Sequence, residues 1–216
     1  LGSEGPDASV GIVVGLAAEA RIARKLGNPV AIGGGGADGA EAAARRLVAE
    51  GATGLLSFGL CGGLDPALLP GALLIPHAVL ADGTRHMASA AIAARFGVMA
   101  PQVMLAGEVV AATAAEKRRL YAVTGAAAID LESGAVARVA AQAGLPFAVL
   151  RAICDPAEQD LPPAALAALD GKGAIGLFRV LAALAAQPAQ LPALMTLARQ
   201  AAAGRRSLLR AVAESC

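Results

Sequence analysis

Between residues 125 and 162 the chain reads GAAAIDLESGAVARVAAQAGLPFAVLRAICDPAEQDLP. This stretch leaves the fold little choice. A short apolar run is followed by a helix with one apolar face and then by a second apolar run, and a carboxylate stands wherever a strand would end. Residues 126–129 form the first run. Asp130, Glu132 and Ser133 suit the first turn of a helix, where free backbone N–H groups favour acceptors and negative charge. Val136, Val139, Ala140 and Ala143 recur at helical spacing, and Gly144 predicts the stop. Residues 146–153 are almost continuously apolar, as in a strand covered on both faces. Arg151 interrupts them, and a guanidinium there requires a carboxylate or carbonyl partner. Asp155-Pro156 closes the strand in a turn. In open α/β sheets ligands sit beyond the carboxyl ends of strands, and Glu132 and Asp155 both fall there.

The remainder alternates in the same way. Strands are expected over 10–14, 29–32, 53–58, 73–75, 78–81 and 102–105. Helices are expected from the turn at Gly15 to about Leu26, over 38–50 and over 87–96. Glycine runs at 33–36 and 59–63 read as turns at strand ends. The pattern predicts a three-layer α/β/α core over residues 1–162. From 163 to 216 the signal is helical alone, over about 164–169, 174–186 and 191–212. In the last of these Leu191, Leu194, Ala198, Ala201, Leu208 and Val212 can share a face, with Arg199, Arg206 and Arg210 mostly elsewhere. Such a helix packs on its own domain or on a dimer partner, or rests as a basic amphipathic helix on a membrane surface.

Composition narrows the function classes. The chain has 216 residues, enough for a sizeable core. Aromatics are 2% with no Trp, which disfavours nucleic-acid modules built on stacking platforms. A net charge of +1 gives no strong steering toward polyanions. No run approaches the roughly 18 consecutive apolar residues of a membrane span. Cys61, Cys154 and Cys216 are odd in number and widely spaced, which argues against a disulfide framework or a zinc site. The first nine residues lack the features of a secretory signal, and a reducing cytoplasm is the expected setting. His77 and His86 read as surface or satisfied histidines.

D-L-E-S followed by L-R-A-I-C-D resembles the paired motif of the nucleoside phosphorylase and nucleosidase superfamily. F-G-L-C-G-G-L-D-P-A-L-L-P-G-A-L-L-I-P resembles its glycine-rich T-G-(S/T)-A-G-G-L segment and the sequence that follows it. The resemblance implies a nucleoside phosphorylase-like fold with a mixed central sheet, and cleavage of the glycosidic bond of a purine nucleoside. It assigns Glu132 to the ribose 2′- and 3′-hydroxyls, because a carboxylate accepts two hydrogen bonds from a vicinal diol. Leu131 stands in the family's methionine place beside the substrate. Asp155 becomes the acid that protonates purine N7. Glu19, in G-L-A-A-E, corresponds to the glutamate that activates water, although the motif is one residue shorter here. Gly34, Gly36, Gly62 and Gly63 line the sugar side, and Arg151 falls within the site. Residues 105–110 resemble the segment whose backbone reads the purine edge. Val110 and Ala111 occupy the places of its aromatic and aliphatic residues, so the stacking ring is absent.

The family's phosphorylases carry a phosphate-binding arginine in R-x-G-(S/T)-x-G. Here that stretch is Ser57-Phe58-Gly59-Leu60-Cys61-Gly62, without the arginine. Arg21 and Arg24 could lend charge from the first helix or lie on the surface. The balance favours water as nucleophile, with phosphate as the alternative co-substrate. No metal or organic cofactor is implied. The whole pattern is similar to the hopanoid-associated phosphorylase branch, which implies release of adenine from adenosylhopane in hopanoid biosynthesis. That would place the protein in the cytoplasm or peripherally on the inner membrane surface, as a homo-oligomer. The alternatives are a methylthioadenosine/adenosylhomocysteine nucleosidase and a non-catalytic nucleoside-binding relative.

Overall fold

In a computed structural model, which describes residues 9–168 and 188–215, nine strands form one mixed sheet. They are β1 (Val10–Val14), β2 (Val30–Ile32), β3 (Gly54–Gly63), β4 (Leu73–Leu74), β5 (Pro76–Ala81), β6 (Thr84–Met87), β7 (Ala100–Ala106), β8 (Ala128–Asp130) and β9 (Phe147–Asp155). The helices are α1 (Ala17–Ala23), α2 (Ala37–Ala49), α3 (Ala90–Ala93), α4 (Ala114–Thr124), α5 (Ser133–Ala143), α6 (Pro163–Ala168) and α7 (Leu191–Glu214). A 3-10 turn over Arg24–Leu26 extends α1. The helix expected over 174–186 lies outside the described residues.

β3 is the spine of the sheet. Its first half pairs in parallel with β1, and most of its length pairs in parallel with β9. Its last two residues pair antiparallel with β8. β8 leads on to β7, β5 and the edge strand β6, and β4 lies antiparallel on β9. The central strands are buried on both faces, so alternate residues feed two separate cores. Val13, Leu55, Val149 and Ile153 meet α2 and α5 on one face. Ile12, Leu56, Phe58, Leu150 and Ala152 meet α1, α3 and the end of α7 on the other. The layers are therefore helix, sheet, helix, as the alternation of apolar runs predicts.

Three local expectations need correction. Residues 59–63 are not a turn but the second half of β3, because the glycines extend a strand that needs bare backbone where side chains crowd in. The helix expected over 87–96 shrinks to Ala90–Ala93, and Thr84–Met87 pairs as a hairpin with β5 through a turn at Asp82-Gly83. The residues 88–94 have helix propensity, but Met87 pairs with Ala78 and Ala88 N donates to the His77 carbonyl at 2.8 Å, so the helix begins only after the cap at Ser89. The helix α4 was missed altogether, although Thr113 and Glu116 form a reciprocal capping box at its start.

α7 buries Gly204, Ser207, Leu208, Ala211 and Val212 along its second half, chiefly against β9. Its first half is more open, with Leu191 and Met195 exposed.

Candidate active site

The chemistry collects at the carboxyl ends of β1, β3, β8 and β9. Arg151 points from β9 toward the start of α5 and is 1% exposed. Its partners are the ones that burial demands. One terminal nitrogen lies 2.5 Å from Asp130 Oδ2 and 3.0 Å from Glu132 Oε2. The same nitrogen donates to Ser57 Oγ at 2.8 Å, and the other donates to the Leu60 carbonyl at 3.3 Å. Asp130 ends β8 and also caps α5, its Oδ1 accepting from Ser133 N at 3.1 Å. Glu132 occupies the cap position of α5 but makes no capping bond with its side chain. Its Oε1 accepts from Gly35 N at 3.2 Å instead. The carboxylate is thus free of the structural role that its sequence position suggests, and it reaches over the ends of β1 and β2. A Cβ on Gly15 would collide with that carboxylate, so glycine at the end of β1 admits it.

Burial, with Asp130 and Glu19 adding to it and Arg151 opposing, pushes the Glu132 carboxyl from an ordinary 4.5 up to about 7. The ion pair with Arg151 does not reverse this, since Asp130 stands closer to the guanidinium and takes the larger share of its charge. Arg151 is in turn held firmly charged by the two carboxylates against the effect of burial.

Glu19, 3% exposed, fastens α1 to the site. Its Oε2 accepts from Gly15 N and Leu16 N at 3.1 and 2.9 Å, and its Oε1 accepts from Leu60 N at 2.8 Å. It serves as a first-turn acid of its helix and also bridges to β3. A Cβ on Gly59 would come within 2.6 Å of both Glu19 Oε1 and Arg151 Nη1, so the glycine leaves room for the two charged heads.

Asp155 ends β9 on the other side of this group. The register between β3 and β9 slips after Cys61, with Cys154 the extra residue, and such a slip re-aims the side chain beyond it. Asp155 Oδ2 pairs with Lys117 Nζ at 2.6 Å. Oδ1 is buried and has no hydrogen-bond partner among the described residues. Burial raises the proton affinity of Asp155, and the bond and charge of Lys117 oppose that rise. Burial also pushes the Cys61 thiol well up and the Cys154 thiol up to about 12, which disfavours the thiolate form at neutral pH.

The sequence-derived residues fall unequally into this arrangement. Glu132, Arg151 and Glu19 come together, and Gly62 and Asp155 stand beside each other at the carboxyl ends of the neighbouring strands β3 and β9. Gly63 is buried beside Ile153 and Asp155 O. Among the 33–36 glycines the bond to Glu132 comes from Gly35, whereas Gly34 donates to Gly15 O and Gly36 caps α2. Ala111 packs into an apolar cluster with Leu64, Ala126 and Ile129. Val110 and Leu131 are half-buried. Arg21 and Arg24 are exposed, and His77 is satisfied by the Gln102 carbonyl at 3.0 Å. Sequence reasoning missed Lys117 as well as the roles of Ser57, Asp130 and Gly35. The T-x-x-E cap marks the start of α4 but does not show that Lys117 points inward.

Two shallow cavities among the described residues, of about 250 and 270 Å³, lie at the opposite end of the strands and are lined by no carboxylate. They are bordered by Pro146 and, in the second, by Val10 and Gly54. The acids stand where a ligand of an α/β sheet is expected, which makes that end of the strands the candidate site. Among the described residues no cluster of three or more His, Cys, Asp or Glu side chains could hold a metal ion.

A family model described as the phosphorylase superfamily matches residues 102–185. No functionally curated protein matches the chain in sequence. Solved structures share its fold. The 5′-methylthioadenosine/S-adenosylhomocysteine nucleosidase of Neisseria meningitidis, in complex with methylthio-immucillin-A, superposes with a TM-score of 0.72 at 14% identity, covering 97% of this chain and 98% of that one. Futalosine hydrolase of Helicobacter pylori gives 0.66 at 17% identity, with 96% and 97% covered. S-adenosylhomocysteine nucleosidase of Streptococcus pyogenes, in complex with 5-methylthiotubericidin, gives 0.64 at 16%, with 72% and 87% covered.

Proposed function

We propose that the chain cleaves the N-glycosidic bond of an adenine nucleoside and releases adenine. The observation that carries this reading is the Asp155 carboxyl. One of its oxygens is anchored on Lys117, the other is unpartnered, and burial favours its protonated form. A carboxylic acid held in that way suits proton donation to a departing base. Glu132 stands beside Arg151. Asp155 lies four positions beyond Arg151 on β9, roughly 13 Å along an extended strand, a span that a nucleoside bridges. Glu132 accepts the ribose diol, with Arg151, Gly35 and Gly15 fixing its position. Glu19, held by three backbone N–H groups, keeps unused lone pairs for a water. Leu131, Gly34, Gly36, Gly62, Gly63, Val110 and Ala111 complete the surroundings of sugar and base.

Water is the preferred nucleophile. Both cations within the site are engaged by carboxylates, and Arg21 and Arg24 face solvent. No unpaired cation at the site is left for phosphate.

For the 5′ substituent we favour a bulky lipid, as in adenosylhopane, acted on at the inner membrane surface. The support is the resemblance to the hopanoid-associated branch and the basic outer side of α7. The second reading, a methylthioadenosine or adenosylhomocysteine nucleosidase, draws on what the fold neighbours act on by name.

The test is chromatography for free adenine after incubation with adenosine, methylthioadenosine and an adenosine bearing a 5′ alkyl chain, each with and without phosphate. Adenine without added phosphate supports the hydrolase. Asp155→Asn should bind nucleoside and lose about 10²–10⁴ of the rate. Absence of adenine under every condition would leave a binding protein.

A further inference from the structure

We propose that Lys117 is a positioning residue for Asp155. It grips one carboxyl oxygen, leaves the other as the sole proton-delivering atom, and supplies the counter-charge when that proton departs. The functional half of this proposal rests on Asp155 being the acid of the reaction above.

Lys117 sits in the first turn of α4, and its side chain is 0% exposed. Its three donors match three acceptors. Asp155 Oδ2 lies 2.6 Å from the ammonium nitrogen, the Pro156 carbonyl 3.0 Å and the Gln159 carbonyl 2.8 Å. None is left to bind a ligand, so the lysine acts through Asp155.

The same loop is tied down from other directions. Asp160 Oδ1 accepts from Ala114 N at 2.7 Å, and Leu161 N donates to the Ala112 carbonyl at 2.8 Å. From α7, Gln200 Nε2 donates to Gln159 Oε1 at 2.7 Å. The acid, the loop over 156–161 and the start of α4 therefore form one hydrogen-bonded unit. The segment that leads into α4 carries Val110 and Ala111, so the acid and the stretch meant to meet the base are fixed to each other through Lys117.

The charge balance shows why a cation is useful here. As the glycosidic C–N bond breaks, its electron pair goes to the base. The Asp155 Oδ1–H bond breaks, an N–H bond forms on the base, and a carboxylate remains in a residue only 5% exposed. An isolated buried carboxylate is costly. The Lys117 ammonium offsets that cost without moving. The other groups around Asp155 do not substitute for it. Asp160 from the loop opposes the charge. Cys154 beside it and Cys61 on β3 are neutral thiols. Arg205 on α7 exerts its effect on Cys154.

Two readouts test the role. In steady-state adenine release, Lys117→Met should lower kcat at least tenfold with KM within threefold, and its alkaline limb should move to higher pH. Lys117→Arg, which keeps the charge, should bring the limb back. In the resting protein, the ¹³C resonance of the Asp155 carboxyl, assigned by its loss in Asp155→Asn, should titrate at higher pH in Lys117→Met than in the wild type. Should Lys117→Met not fold, Lys117→Gln serves, since it keeps a donor for the loop carbonyls but no charge. An Asp155 titration and an alkaline limb that both stay where the wild type has them would overturn the proposal. A wild type that releases no adenine would remove the hydrolase reading, and the carboxyl titration would then decide alone whether Lys117 governs Asp155.

Discussion

At the scale of single residues, the site is a study in buried charge. Glu132 carries the clearest consequence. Its carboxyl is held near 7 in the folded chain against about 4.5 in an open one. The folded protein thus binds more protons between these values, and stability falls as pH rises through that window. A gap of that size corresponds to about 3 kcal/mol. Urea denaturation of Glu132→Gln should lack this decline, so the variant gains on the wild type between pH 4.5 and 7.5. Arg151→Met should act in the opposite direction. It strands Asp130 and Glu132 without a cation and should cost about 3–5 kcal/mol at neutral pH. The loss should shrink toward pH 5 as the carboxyls take up protons. Both effects read out in denaturation midpoints with no substrate present. The need for an Arg151 partner is visible in the sequence, because a guanidinium in an apolar strand admits few alternatives. Lys117 is invisible there, because a lysine in K-R-R on an exposed-looking helix gives no sign that it points inward.

At the scale of elements, local pattern determines some segments and strand pairing determines others. β1, α2 and α5 follow from apolar periodicity together with Gly144, which has a left-handed φ of 66° at the end of α5. The second half of β3 fails that reading. Gly59-Leu60-Cys61-Gly62-Gly63 has turn composition, yet it runs as strand because β9 lies along it and charged heads fill the space above Gly59. Likewise β6 owes its strand state to β5, which no periodicity over 84–87 announces. The cap of α4 is legible in the T-A-A-E of residues 113–116. Thr113→Ala should remove the bond that Glu116 N donates to Thr113 Oγ1, 3.2 Å in length, and cost about 1 kcal/mol. It should also loosen the base-facing segment, raising KM for the nucleoside more than it lowers kcat. The docking of α7 is similarly specific. A Cβ on Gly204 would stand 2.7 Å from Leu60 Cδ2 and 3.3 Å from the Ile153 carbonyl. Gly204→Val should therefore destabilise by about 1–3 kcal/mol through overpacking, measurable by thermal melting. Since Leu60 N holds Glu19, it should slow adenine release as well.

At the scale of the molecule, charge is distributed unevenly in a chain whose net charge is only +1. α1 and the second half of α7 pack side by side. Their outer faces carry Arg21, Arg24, Arg206 and Arg210, all exposed, and Arg199 continues the line toward the start of α7. Arg199, Arg206 and Arg210 are spaced by seven and four residues, which sets them on one stripe of the helix. None of these arginines forms an ion pair among the described residues. The acids of the same two helices are Glu19, which is buried, and Glu214 at the far end of α7. Leu191 and Met195, exposed on the first half of α7, add apolar contact along the same helix. No helix among the described residues is long and apolar enough to cross a membrane, so a membrane contact made here would be interfacial. A basic residue at an anionic bilayer surface contributes about 1 kcal/mol. Replacing Arg199, Arg206 and Arg210 with Gln should then weaken binding to phosphatidylserine-containing vesicles by on the order of a hundredfold, as read by co-sedimentation. Binding should fall with salt, because a charge contact is screened within about 10 Å at 0.1 M. Since the three arginines are exposed and form no ion pair with the acids among the described residues, adenine release from soluble nucleosides should be unchanged in the triple variant, whereas release from a membrane-embedded substrate should drop. Equal sedimentation of wild type and variant would remove the membrane from the function of this chain and leave the arginines as solubilising charge.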